Sequence, residues 1–314
     1  MKNDLLPYAT IQYKVRALAC TRILVALMLF MASCAEDEDF VPTIDYINIP
    51  DEVFESILIE QNIDTDGVIN QKILKTDAQA VTHLYLDFFI SKQKIQNLKG
   101  IEGFTNLTFL SASGNAIEKI DLSHNIQLDS LQLQGNYLFE IDVSTNKKLL
   151  LLDLLANDLQ SVYGLSDLPH LTHLNLSFNL LDSLSFESKS IEVILATHNQ
   201  LKYFDAKNAR DLKNLNLTTN ALSFLNVTPL ASLETLLLSD NQIETINLER
   251  NAELNHLYMS SNFLTSLDVS RNLDLIGLKV DRNPSLTCIQ VNDNQVIPTL
   301  SISEYQELNP NCQQ

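Results

Sequence analysis

Six histidines, four cysteines and a short run of alternating oxygens are the residues whose types could carry chemistry in this chain. The histidines, His83, His124, His170, His173, His198 and His256, show neither an H-E-x-x-H pair nor any other paired-ligand spacing, so no zinc site is expected. Asn62-Ile63-Asp64-Thr65-Asp66-Gly67, continued by Ile69 and Asn70, alternates oxygens and then turns on a glycine, which is half of a calcium loop. Ile73 stands where that loop needs its closing bidentate carboxylate, so a plain turn without metal is expected. Asp121 and Asp142 could form a small carboxylate ladder that a cation would relieve, but turn residues facing solvent are the simpler reading. The sequence holds no phosphate loop, G-x-S-x-G turn or dinucleotide fingerprint. With no convergent acid, base or metal set, it reads as no enzyme and needs no cofactor.

What must position every other residue is a repeat. From Val81 onward the unit L-x-x-L-x-L-x-x-N recurs, first as Leu107, Leu110, Ala112 and Asn115, then as Leu128, Leu131, Leu133 and Asn136. Its asparagines are Asn115, Asn136, Asn157, Asn179, Asn199, Asn220, Asn241, Asn262 and Asn283, spaced by 21, 21, 22, 20, 21, 21, 21 and 21 residues. That period and pattern mark a leucine-rich-repeat solenoid, β-rich within the α/β class, with about ten units over residues 81–287. A leading unit has Val81, Leu84 and Leu86 but Phe89 in place of asparagine, as an atypical terminal repeat should. The leucines of L-x-L point inward from a short strand, and stacking of units closes a core that no single unit could bury. Parallel strands are expected on the concave face and short extended or turn segments on the convex face. The asparagines are structural: each leaves its strand at a tight turn, where its amide can satisfy backbone groups of its own and the adjacent unit.

The two ends carry different signals. Lys14, Arg16 and Arg22 precede the uncharged run Ile23 to Met31 and then Ala32, Ser33 and Cys34. Through Ala35 the apolar and small run is 13 residues long. That is short of the ~18 needed to span a membrane, so residues 1–33 read as a cleaved signal. Met31-Ala32-Ser33-Cys34 resembles the lipobox of bacterial lipoproteins, which implies a lipidated Cys34; ordinary cleavage with a chance thiol is the alternative. Ala35-Glu36-Asp37-Glu38-Asp39, in a linker over 34–48, is similar to the surface-export signal of lipoproteins in the Bacteroidota, with a solvated spacer as the alternative. Ile49 to Ile59 reads as a short amphipathic helix in an N-terminal cap over 49–80. In a C-terminal cap over 288–314, Cys288 and Cys312 are the natural disulfide pair, since Cys20 falls in the leader and Cys34 should carry lipid.

Composition narrows the partners. Hydrophobic residues make up 45% of the chain, enough for a core. The formal charge is −18, and after residue 33 there remain 17 basic against 38 acidic residues, a net −21. Nucleic acid is thereby excluded as a natural partner, because phosphate binding needs clustered Lys and Arg.

Residues from Ile49 to Cys312 resemble the leucine-rich-repeat surface lipoproteins of the Bacteroidota and in architecture are similar to the internalins. The resemblance rests on Ile49-Pro50-Asp51 to Phe54 with Asp64-Thr65-Asp66-Gly67, on convex segments such as Asp121-Leu122-Ser123, and on Cys288-Ile289-Gln290-Val291. It implies an adhesion or recognition module at the outer membrane surface that meets the membrane only through its lipid.

The outward strand positions then become the candidate binding face. One column reads Tyr85, Ser111, Gln132, Asp153, Asn175, Leu195, Asn216, Leu237, Tyr258 and Lys279, and neighbouring positions add Phe109, Leu151, Leu155, His173, Val193 and His256. Exposed apolar and aromatic residues without a core role mark interaction surfaces. Leu151, Leu155, His173, Val193, Leu195, Leu237, His256 and Tyr258 are accordingly the expected contacts for a protein ligand. Leu195 and Leu237 are expected to stand in water. The alternative, a non-catalytic glycan-binding or accessory subunit of a surface enzyme or uptake complex, calls for acid, base or metal residues that converge on one patch.

Overall fold

A computed structural model describes residues 45–88 and 93–312. The leader expected over residues 1–33, Cys34 and the acidic run Glu36 to Asp39 lie outside the described residues.

Each L-x-L stretch makes a three-residue strand whose central residue points into the core. Eleven of them lie side by side: His83–Tyr85, Phe109–Ser111, Ser130–Gln132, Leu151–Asp153, His173–Asn175, Val193–Leu195, Asn214–Asn216, Thr235–Leu237, His256–Tyr258, Gly277–Lys279 and Thr299–Ser301. All are parallel and in register, so that Leu131 pairs with Leu110 on one side and Leu152 on the other. A slip of one residue would turn the leucines into solvent. Leu131, Leu133, Leu152 and Leu154 are all fully buried, and the same layer recurs coil after coil.

The nine asparagines hold the coils together by one repeated arrangement. Asn241 donates through Nδ2 to the carbonyls of Leu217 in the preceding coil (2.9 Å) and Leu238 in its own (3.1 Å), and its Oδ1 accepts from the Leu222 amide (3.0 Å). Asn115, Asn136, Asn157, Asn179, Asn199, Asn220, Asn262 and Asn283 make equivalent sets. The residue before each asparagine has positive φ, beginning with Gly114 and Gly135 and continuing through Ala156, Phe178, His198, Thr219, Asp240, Ser261 and Arg282. Left-handed backbone disfavours a side chain, above all a β-branched one such as Thr219, so the turn is held against a local cost.

A second buried asparagine set lies on the opposite side of the coils. Asn146 donates to the carbonyls of Leu122 and Asn125 (both 3.0 Å), and Asn125, Asn251 and Asn272 bond likewise to the coils before them. In the central coils this set gives way to the paired strands Ser183–Glu187 and Tyr203–Lys207, which bury Phe186 and Phe204. The convex segments are therefore short and extended, as the alternation of the sequence requires. Asp121 and Asp142 are exposed and accept the amides of Ser123 (2.9 Å) and Ser144 (2.8 Å); Asp142, expected in a turn, closes the short strand Glu140–Asp142, which pairs with Ser161–Tyr163. The Ser123 hydroxyl and amide hold Asp121 below the usual aspartate range.

Both ends are covalently or sterically fastened. Helix Glu52–Glu60 begins at Asp51, whose Oδ1 accepts the Val53 and Phe54 amides while Oδ2 accepts those of Gln96 (2.8 Å) and Asn97 (3.0 Å). One carboxylate thus caps the helix and ties it to the first coil. Phe54, Ile57 and Leu58 are buried, with the Phe54 ring 6.1 Å from that of Phe104. At the other end, the Cys288–Cys312 disulfide is formed, with Cα atoms 5.8 Å apart. Residues 288–312, expected as a cap, make one further coil: Thr299–Ser301 extends the main sheet. There Gln306 and Gln295 replace the two asparagines, donating to the carbonyls of Val280 (3.1 Å) and Asn272 (2.8 Å). Gln295 reaches a pair of carbonyls equivalent to that of the convex asparagines, whereas Gln306 keeps only the bond to the preceding coil's Val280 carbonyl and adds Asn283, so the asparagine pattern ends one coil before the array does.

Asn241→Ala should lower the stability of the solenoid by about 2–3 kcal/mol, because it strands donors and acceptors in two coils. Gln242→Ala, at the exposed neighbouring position, should cost less than about 0.5 kcal/mol. Urea denaturation checks both; equal effects would remove the asparagine from its structural role.

Candidate functional site

In-register pairing sets the outward side chains of the concave strands in straight columns. Leu151, His173 and Val193 are consecutive members of one column. The adjacent column runs Asp153, Asn175, Leu195, Asn216, Leu237, Tyr258 and Lys279. Val193 and Leu195 leave the same face of one strand. The structure therefore gathers Leu151, His173, Val193 and Leu195 into one patch, and Leu237, His256 and Tyr258 into another. Asn214 and Asn216 stand between the two. Leu155 sits in the turn beyond its strand, where its amide donates to Asp153 Oδ1 (3.1 Å).

Exposure departs from the expectation for the leucines. Leu195 and Leu237 are half-buried and not fully in water, as are Leu151, Leu155, Val193, His256 and Tyr258; His173 is exposed. Strands ~4.8 Å apart let each outward side chain lean on its neighbours in the column, which covers part of its surface.

Tyr258 is the most elaborated position. Lys279 Nζ lies 4.3 Å from the centre of its ring, and the His256 ring meets it edge-on at 6.0 Å. Gly277 makes room for both rings: a Cβ there would come within 2.8 Å of His256 and 3.3 Å of Tyr258. Nothing in the repeat pattern signals this cavity for two rings, because it depends on the next coil. A third cluster at the first coils sets the Phe109 ring 5.0 Å from Tyr85 and 6.0 Å from His83, with Tyr85 47% exposed.

Exposed aromatics also line the edge where strands end, and the column reading passed over them. Phe178 stacks on His198 with ring centres 4.2 Å apart, and Tyr137 and Phe263 are about half exposed. Their signal was the residue on either side of the repeat asparagine.

No protein-family model matches the chain, and no curated protein does. Solved structures do. The leucine-rich-repeat domain of APL1 is 25% identical over 74% of this chain and 67% of that one, with a TM-score of 0.57. That of APL1B is 24% identical over 64% and 62%, with a TM-score of 0.55. The fold is that of the leucine-rich-repeat proteins. The functional domain of the internalin InlJ from Listeria monocytogenes is also similar, at 21% identity over 85% of this chain and 71% of that one, with a TM-score of 0.46.

On this leucine-rich-repeat face the carboxylate raised by burial is Asp153. Half-burial pushes its carboxyl above the usual aspartate range, only partly opposed by the Leu155 amide and the Asn175 side chain. A folded value above the unfolded one means that ionising Asp153 costs stability, which returns as the pH falls through the folded value. Asp153→Asn should therefore gain stability relative to the native chain at about pH 7 and lose that advantage near pH 4. Thermal unfolding at the two pH values checks it, and a variant equally destabilised at both would refute it.

Proposed function

We propose that this chain is a lipid-anchored surface module that binds a protein partner through its concave face. The observation that carries the reading is the pair of apolar and aromatic patches around Leu151, Val193 and Leu195 and around Leu237 and Tyr258. None of these side chains contributes to the core, so their apolar character has no structural demand behind it. Tyrosine and half-buried leucine are also residue types that carry binding energy. Asp153 and Glu234 stand close by on the same strands or just before them, and with the net charge of the chain they favour a partner whose apolar contact is flanked by Lys and Arg. Leucine-rich-repeat relatives lend support: LRIM1 and APL1C are solved as a complex, and that structure resembles this chain at 23% identity over 74% of this chain and 47% of that one, with a TM-score of 0.53.

Anchoring rests on Met31-Ala32-Ser33-Cys34 and on the acidic residues after it. A lipidated Cys34 would join the solenoid to the outer membrane through the linker over 34–48.

Leu195→Asp with Leu237→Asp should abolish capture of a surface-protein partner while costing about 1–2 kcal/mol of stability, because each leucine is only half-buried. Tyr203→Asp, on the convex side, should retain capture. Unchanged binding by the double variant would move the site off this face, and a response confined to a glycan array would replace the protein partner with a glycan. Separately, Cys34→Ala should lose radioactive fatty-acid label and leave the membrane fraction or accumulate as precursor. A variant that still carries full label would end the lipoprotein reading.

A further inference from the structure

The last coil leaves a core layer uncovered. Leu300 is 42% exposed, and Ile297, Ile302 and Leu308 are half-buried. One coil earlier the equivalent residues Leu275, Leu278, Val280 and Ile289 are at most 2% exposed, because the last coil packs on them. Leu84 and Leu86 at the opposite end are fully buried, in the coil to which Asp51 ties the helix Glu52–Glu60. Solenoid ends call for a polar outer face, so four aliphatic side chains partly in water at the last coil carry a cost with no counterpart at the first.

Two strands border that layer, and each pairs on one side only among the described residues. Thr299–Ser301 ends the eleven-stranded concave sheet, and Glu307–Asn309 ends a three-stranded convex one. Bonds to the preceding coil use the Thr299 N–H (to Ile276, 2.9 Å) and the Ser301 C=O (from Val280, 2.9 Å), and likewise the Glu307 N–H (to Thr287, 2.9 Å) and the Asn309 C=O (from Val291, 3.3 Å). Backbone groups alternate in direction along a strand, so the N–H and C=O of Leu300 and of Leu308 point away from the array. The Cys288–Cys312 disulfide and the Cys312 amide on Gln290 Oε1 (2.9 Å) fix the convex strand in place. This end thus presents two held, open strand edges with an apolar strip between them.

We propose that this end pairs with the same end of a second copy of the chain. One partner for both edges must carry two strands at the spacing that a coil sets, and the last coil of another copy has that spacing by identity. A two-fold axis in the plane of the end, running from the concave to the convex side, sets each strand antiparallel to its own copy, so both edges close in one operation. Centred on Leu300, the first pair exchanges two N–H···O=C bonds and sets Thr299 across from Ser301. Centred on Leu308, the second sets Glu307 across from Asn309. Asp293 and Glu304 lie outside both strands. Neither register therefore brings carboxylate against carboxylate, which a chain of net charge −18 must avoid in order to pair with itself. The aliphatic layers then cover one another, as successive coils do within the array.

Sedimentation equilibrium of the full Cys34→Ala chain, which removes association through lipid, should show the mass double across about 1–100 µM. Leu300→Asp sets two carboxylates against each other and should weaken the dimer at least tenfold, with the urea midpoint identifying any loss that comes from unfolding. The register is tested without touching the apolar layer: Thr299→Cys chains mixed with Ser301→Cys chains should form an intermolecular disulfide, and either variant alone should not. This surface is separate from the concave patches, so its failure leaves the proposed partner face standing. A mass that stays monomeric over the whole range, or a mixture that cross-links no faster than each variant alone, would overturn the proposal. So would a dimer lost with Leu195→Asp and kept with Leu300→Asp, which would assign the contact to the concave face.

Discussion

A parallel coil that closes every 20 to 22 residues must turn sharply while its backbone is buried, and the turn cannot keep its amides and carbonyls in water. The repeat asparagine answers this constraint. One short amide side chain offers two donors and an acceptor at the point where three backbone groups of two successive coils would otherwise be orphaned. Glutamine takes the place in the last coil with a changed set of bonds: Gln306 Nε2 donates to the Val280 and Asn283 carbonyls of the coil before it, and Oε1 folds back to accept the Ser303 amide. Everything else in the array follows from this stitching: the constant register of the strands, the unbroken leucine layer, and the positive φ imposed on the residue before each asparagine.

Stitching from within leaves the outward face without a structural assignment. In one column, Asp153, Asn175, Leu195, Asn216, Leu237, Tyr258 and Lys279 succeed one another with no common chemistry. Residues inward of them are held to leucine, isoleucine, alanine, methionine or valine, whereas these positions are held to nothing by the fold. Two apolar patches on such a surface are therefore informative in a way that two more buried leucines would not be. Gly277 strengthens the point, since its absent side chain serves the rings of His256 and Tyr258 and not the core.

The interruptions of the repeat are as instructive as its regularity. Where the convex asparagines lapse, between Asn146 and Asn251, five-residue strands and the rings of Phe186 and Phe204 take over the closure of the coil. The N-terminal end uses a helix whose own cap, Asp51, is shared with the first coil, and the C-terminal end uses a disulfide. A quasi-one-dimensional solenoid frays from its ends, so both devices sit where each coil has only one neighbour.

The residues alone determined the repeat, its period, its inward leucines and its asparagine turns, because these are local patterns that recur every coil and each recurrence repeats the same physical demand. They also pointed to the Cys288–Cys312 pair, the two cysteines that close the C-terminal end of the array. Tertiary structure alone decided what depends on contacts between coils. It showed that Leu195 and Leu237 are half covered, that Gly277 accommodates two rings, and that Asn125, Asn146, Asn251 and Asn272 form a second buried set. It also carried Glu55 from a helix to the amides of Asn70 and Lys72, 15 and 17 residues along the chain, and the reason is common to all four: a side chain's neighbours one coil or one element away are set by packing, which no spacing along the chain records.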